Sequence, residues 1–250
     1  MRASILGLMV GFVLWTGEPA WAAADKRDRC DVPEELRSTS YPLAEFSKRL
    51  KQSDHLAVVV LGSASSLPGG TARQAPPYVV GMEAALQEAF PGKTFTLRNL
   101  SSRAQANAQM VQRIGPEVIP ARPDLVIWQT GTVEAARHVD INAFSATLAA
   151  GLTDLQAARI DVVLMGPQLR SRLATMIDVE PYNDVMAQIA DRESVPFLSR
   201  YDIMRHWDEN AVFDLGSQDQ AIQMREAGAQ NRCIMLLLVE QIRGAATVTP

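Results

Sequence analysis

The sequence predicts a three-layer α/β/α domain built on a parallel sheet of about five strands. Three observations carry this prediction. Continuous apolar runs recur along the chain, segments with apolar residues at helical spacing separate them, and each run ends in a cluster of Gly, Ser, Thr or Pro. A run without polar alternation fits a strand buried on both faces, and strands alternating with helices of about 10 to 17 residues imply right-handed crossovers that cover both sides of a parallel sheet.

The elements follow in order. A polar arm and a short helix around Pro42 to Leu50 precede the first strand, Leu56 to Leu61, which ends in Gly62-Ser63-Ala64-Ser65-Ser66. Val79, Met82, Leu86 and Phe90 mark a helix from Tyr78 to Phe90, stopped by Pro91-Gly92, and Thr94 to Arg98 is the second strand. A helix from Ala104 to Ile114 leads to the third, Pro123 to Trp128, which ends in Gln129-Thr130-Gly131-Thr132. A long helix from Asn142 to Ala158 then precedes the fourth, Asp161 to Met165, running into Gly166-Pro167-Gln168. Tyr182, Val185, Met186 and Ile189 mark another helix, and Val195 to Leu198 is a short fifth strand. A helical turn from Tyr201 to Trp207, a polar loop and a last helix from Ala229 to Ile242 complete the chain.

Composition agrees with one large domain. The 250 residues are 47% hydrophobic and 21% charged, enough for one sizeable core, which excludes collagen, coiled coil and wholesale disorder. With 24 Lys and Arg against 28 Asp and Glu, a net charge of -4 and no basic run, the chain lacks the electrostatic footprint of a nucleic-acid binder and suits a small or neutral partner.

The N-terminus predicts export. Arg2, the apolar stretch Ile5 to Trp15 and the small-residue site Ala20-Trp21-Ala22-Ala23 follow the pattern of a secretory signal peptide. The alternative, a membrane anchor, needs about 20 apolar residues, and Gly17-Glu18-Pro19 breaks the run. The expected organisation is a signal peptide over 1–22, an arm and short helix over 23–55, the α/β domain over 56–243 and a tail over 244–250, in a periplasmic or secreted protein with no stable membrane span after cleavage. In an oxidising compartment Cys30 and Cys233 read as a disulfide; two separate thiols are the alternative. Closing so long a loop contributes about 4 to 5 kcal/mol in the chain-entropy treatment.

Function in such sheets gathers beyond the carboxyl ends of the strands. There the segments Val58 to Ser66, Arg98-Asn99-Leu100 and Pro123 to Thr132, with Val195 to Tyr201, Met204 and Trp207, resemble the successive blocks of the SGNH, or GDSL-type, hydrolase family. That resemblance covers Leu56 to Ile242 and implies a flavodoxin-like sheet, no cofactor and hydrolysis of acyl or acetyl esters. The chemical positions depart from it. The family's nucleophilic serine falls on Ala64, whose methyl group cannot attack an acyl carbon. Its second-block glycine, an oxyanion donor through the backbone, falls near Ala104, where an N–H survives. Its third-block asparagine falls on Val133, so that amide is missing. The family's Asp-x-x-His before the final helix falls near Ile222 and Arg225, and no histidine follows His206. Loss of nucleophile or base alone lowers turnover by about 10⁶-fold in a serine protease, and loss of one oxyanion donor by about 10² to 10³. The sequence therefore points to a non-catalytic member.

A relocated site is the competing reading. Ser63, Ser65 and Ser66 flank Ala64, and His206 with Asp208 offers a base and its orienter; against this, serines at strand-to-helix turns usually satisfy backbone. His206 also suits a helix C-terminus as a satisfied histidine. His138, Asp140 and Glu134 form too sparse a set to argue for a metal, and His55 precedes the first strand at the opposite end. Gly62, Ser63, Gln129, Thr130, Gly131 and Gln168 are the candidate ligand contacts at the strand ends, with Trp128 either stacking or packing. Arg103, Arg170 and Arg172 are either cationic contacts or solvated. The implied partners are a carbohydrate or acyl ligand, or an active hydrolase to which this protein is an accessory.

Overall fold

The computed structural model describes residues 29–70, 75–169 and 177–248, so the expected signal peptide and Arg170 and Arg172 lie outside the described residues. Five strands form one parallel sheet: β1 (His55–Leu61), β2 (Thr94–Asn99), β3 (Leu125–Gln129), β4 (Asp161–Met165) and β5 (Phe197–Leu198), in the order β2-β1-β3-β4-β5. The helices are α1 (Glu34–Arg37), α2 (Ala44–Gln52), α3 (Met82–Ala89), α4 (Asn107–Arg113), α5 (Thr132–Ala136), α6 (Ile141–Ala157), α7 (Glu180–Arg192), α8 (Arg200–Glu209) and α9 (Gln220–Thr247).

The unbroken apolar runs have a simple cause: alternate residues feed two different cores. Leu56, Val58, Val60, Leu125, Ile127, Val163 and Met165 pack against Phe46, Met82, Leu86, Trp207, Ile234, Leu238 and Ile242 from α2, α3, α8 and α9. Val59, Leu61, Val126, Trp128, Val162 and Leu164 face the other way, onto Met110, Phe144, Leu148, Leu152, Met186 and Ile189 from α4, α6 and α7. Trp128 is therefore framework: its indole Nε1 points at Met110 Sδ (3.2 Å), and α6 lies so close that a Cβ on Gly151 would sit 2.4 Å from its ring.

Cys30 and Cys233 are bonded, fastening the arm to α9. Arg29 reinforces that join: its guanidinium pairs with Glu226, donates to the Val212 carbonyl (3.0 Å) and stacks over Phe213 at 4.6 Å. Burial pushes the Glu226 carboxyl up, but hydrogen bonds and charge from Arg29 and Arg225 outweigh it and hold the group below the usual range. Among the described residues no helix is long and apolar enough to cross a membrane.

Several boundaries differ from expectation. The helix expected from Tyr78 starts at Met82, because Gly81 at φ +84° turns the chain just before it. The one expected from Ala104 starts at Asn107, since Ala104 itself sits at φ +52°, and it continues past Ile114 through a wide turn that accommodates Pro116 and a 3₁₀ turn ending at Ala121. The fifth strand shortens to Phe197–Leu198, with the Pro196 carbonyl accepting from Leu164 N at 2.9 Å. The largest difference is α9, which starts at Gln220 rather than Ala229 and runs to Thr247 rather than Ile242. Asp219 caps it by accepting from Ala221 N (2.7 Å) and Ile222 N (3.4 Å). Ile222 and Arg225, expected in a loop, are thus in its first turns.

Candidate functional site

The site is built on the turns that leave the carboxyl ends of β1, β2 and β3. After β1 the chain makes a 3₁₀ turn over Ala64–Ser66. Gly70 closes it, at a place only glycine fits: a Cβ there would lie 1.6 Å from the Ala64 carbonyl oxygen. Within the turn Ala64 is half-buried, whereas Ser63, Ser65 and Ser66 point inward and are buried. The methyl group thus occupies the more open position, where the resemblance puts a nucleophile.

All three serines converge on one residue. Gln129, at the end of β3 and 0% exposed, uses its amide oxygen to accept from Ser63 N (3.2 Å), Ser65 Oγ (3.1 Å) and Ser66 Oγ (3.2 Å), and its amide nitrogen donates to Ser63 Oγ at 3.4 Å. Ser66 Oγ also meets the Tyr78 hydroxyl at 3.0 Å, and Ser65 Oγ accepts from Arg200 Nη1 at 3.1 Å. Burial pushes the Tyr78 phenol up to about 12 and draws the Arg200 guanidinium down to about 10. Ser and Gln here hold loop to strand, as buried polar groups that find partners do.

The remaining candidates take their places around this hub. Gly62, Thr130 and Gly131 are buried, and Gln168 is half-buried with its backbone N–H donating to Thr132 Oγ1 at 3.3 Å. Ala104 is exposed in a left-handed conformation that suits the glycine of the family pattern and strains an alanine by about 1 kcal/mol. Its carbonyl accepts from Arg137 Nη2 at 2.9 Å, while Arg103 donates to the Gly69 carbonyl at 2.9 Å. Val133 is half-buried at the start of α5. No hydrogen bond links His206 to any of the three serines: its ring meets Asn210 at 3.5 Å. It stands six residues beyond Arg200 on α8, about 9 Å along the axis. Asp208 is exposed beyond it.

The three candidate metal residues have separate structural roles. Glu134, 1% exposed, accepts from Gly131 N (2.9 Å), Thr130 Oγ1 (3.3 Å) and Asn107 N, joining the β3 turn to the start of α4. Asp140 caps α6 by accepting from Ala143 N at 2.9 Å, and His138 is exposed at φ +49°. Among the described residues no group of three His, Cys, Asp or Glu side chains could hold a metal ion. His55 is exposed at the amino end of β1 and meets Thr94 and Thr96.

Sequence reasoning missed Arg200 and Tyr78, both buried behind the turn. The signal for Arg200 was present: a long cation directly after a buried strand, on the side where the serines gather. Nothing in the local pattern marked Tyr78, because its burial depends on α9.

Comparison with known proteins agrees with this architecture. An acetylxylan esterase from Geobacillus stearothermophilus superposes with a TM-score of 0.59 at 16% identity, over 75% of this chain and 94% of that one. A lipase/acylhydrolase from Enterococcus faecalis gives 0.61 at 16% identity over 76% and 96%. A further acetyl xylan esterase gives 0.57 at 17% over 73% and 98%. In the Geobacillus enzyme, replacement of a serine, a histidine or an aspartate by alanine yields catalytic mutants, which also share the fold. No curated protein sequence matches significantly. Residues 29–248, the full span of the described residues, match the non-GDSL lipase-like family, and the chain, with its SGNH/GDSL-type hydrolase fold, belongs to that non-GDSL lipase-like family.

Proposed function

We propose that this protein is an exported, non-catalytic member of the SGNH hydrolase-like fold. It serves a carbohydrate or acyl ligand at the strand ends, or assists an active hydrolase. The observation that carries the reading is the turn after β1: its half-open position is Ala64, and the serines on either side are buried and bonded to Gln129. A hydrolase of this type needs a serine with a base in hydrogen-bond reach. The base pattern is missing from the start of α9, and Val133 carries no amide. The Cys30–Cys233 bond is in keeping with an oxidising compartment.

Mass-mapped labelling with a fluorophosphonate, beside a short-chain ester assay, tests it. Neither adduct nor turnover is expected. Ala64→Ser is also expected to stay below about one part in 10³ of a competent esterase, since base and oxyanion donor are missing as well. A large gain in that variant overturns the reading.

One observation favours a second reading, a divergent acyl or acetyl esterase with a displaced nucleophile. Ser65 Oγ lies 3.1 Å from a buried guanidinium, which stabilises an alkoxide. An adduct on Ser65 with ester turnover selects it.

A further inference from the structure

An open groove of about 440 Å³ runs between α3 and α9. Gly81, Ala84, Ala85 and Gly228 line it with almost no side chain, so another backbone can come close. Val80 and Leu236 line it too, and they are 57% and 38% exposed. With Met224 at 47% they are the large apolar side chains left exposed among the described residues. Met224, Gly228, Arg232 and Leu236 follow one another at four-residue spacing along α9. Residues four apart form one ridge on a helix, so Met224 continues the surface that Leu236 brings to the groove, and a joined apolar surface marks an interaction site where scattered residues do not.

The groove also carries one acid and one base, Glu88 and Arg232, at opposite ends. A Cβ on Gly228 would lie 3.5 Å from Pro76, and one on Gly81 3.9 Å from Met235 Sδ, so the chain through α3 and the chain of α9 run in the same sense. Arg232 comes three residues before Met235, about 4.5 Å along α9, and Glu88 seven residues after Gly81, about 10 Å along α3. Both are exposed, and neither has an ion-pair partner among the described residues. We propose that this groove is the interface of a two-fold dimer of the chain. The midpoint between the two charges falls within a turn of Leu236. A two-fold axis there lays one groove antiparallel on the other, so that Arg232 of each copy meets the partner's Glu88 and the Leu236 side chains enter the space over the small residues. A second copy thus supplies the ridge, the acid and the base together. An acyl chain with one anionic head would pair Arg232 and cover Glu88 without a cation. Residues 23–28, four of them charged, have no large apolar side chain to offer. The interface does not depend on what the strand ends hold.

Sedimentation equilibrium of the purified protein through the micromolar range tests the assignment. The mass is expected to rise reversibly from one chain to two and to stop there, since an isologous interface closes on itself. Leu236→Glu sets two like charges beside the axis and is expected to hold the protein at one chain. Arg232→Glu and Glu88→Arg each create two like-charge contacts and are expected, alone, to weaken association by about tenfold or more. An equimolar mixture of those two variants is expected to restore it, because every mixed pair has opposite charges at both ends of the groove. A single-chain mass at all concentrations overturns the proposal and leaves the groove to a foreign partner or to solvent. Growth beyond two chains, a dimer that survives Leu236→Glu, or single reversals that mixing does not rescue overturn it as well. Should Leu236→Glu fail to fold, the mixing experiment decides alone.

Discussion

Two buried charges sit at the same end of the sheet and are treated oppositely. Glu134 and Arg200 are 1% and 3% exposed. The carboxylate accepts from two backbone N–H groups and a hydroxyl, which fix both its oxygens, whereas the guanidinium has one partner and two open donors. The difference separates a fully bonded brace from a partly bonded one. Glu134 joins two turns and is satisfied by them; Arg200 joins α8 to the β1 turn while two of its nitrogens are packed without a hydrogen-bond partner.

The largest test of that contrast is Glu134→Ala. It strands the N–H groups of Gly131 and Asn107 in the interior and is expected to lower stability by about 3 to 5 kcal/mol in urea unfolding, with Glu134→Gln recovering part of it. Next comes Gln129→Met, which removes the acceptor shared by three serine groups; a loss of about 1 to 3 kcal/mol is expected. Arg200→Met should go the other way. Stability in urea unfolding is expected to hold or to rise by about 1 kcal/mol, since an incompletely paired buried charge is replaced by an apolar chain of similar length. A loss of several kcal/mol there would erase the contrast.

The smallest test is in alkali. In the unfolded chain Tyr78 loses its proton near its ordinary value of 10, while the folded protein keeps it to about 12, so this group's contribution to stability falls as pH rises across that window. Arg200 has the reverse sign: burial makes it discharge at about 10 when folded, below its ordinary value in the unfolded chain, so its penalty is relieved as pH rises over the same range. Tyr78→Phe is therefore expected to gain stability relative to the unaltered protein as urea midpoints are followed upward from pH 10, and Arg200→Met to lose ground.

Much of the fold was legible because both cores are written into the strands. Runs such as Leu56 to Leu61 lack polar alternation, and the order of elements follows from their spacing. The start of α9 was not legible: Gln220 to Gly228 has little apolar periodicity, and the helix there is held by the Asp219 cap and by Glu226 meeting Arg29, a residue nearly 200 positions away. For the site, Ala64 and Val133 could be read directly, since a missing side chain is visible in a sequence. Gln129 was read as a ligand contact, and its use as a hub depends on three groups from another turn. Arg200 and Tyr78 meet behind that turn through tertiary packing, which no spacing reports.

The bond between Cys30 and Cys233 spans 203 positions, and further along α9 the Leu43 N–H donates to the Ala245 carbonyl at 3.1 Å and Ser47 Oγ to that of Ala246 at 2.7 Å. The N-terminal arm and the last helix are thereby fastened at two levels. A protease that nicks any loop between those cysteines opens a ring and does not release a fragment, so the cut protein migrates as a single species until a reductant is added. Damage to a surface turn between the cysteines thus leaves the molecule's mass, and most of its architecture, intact.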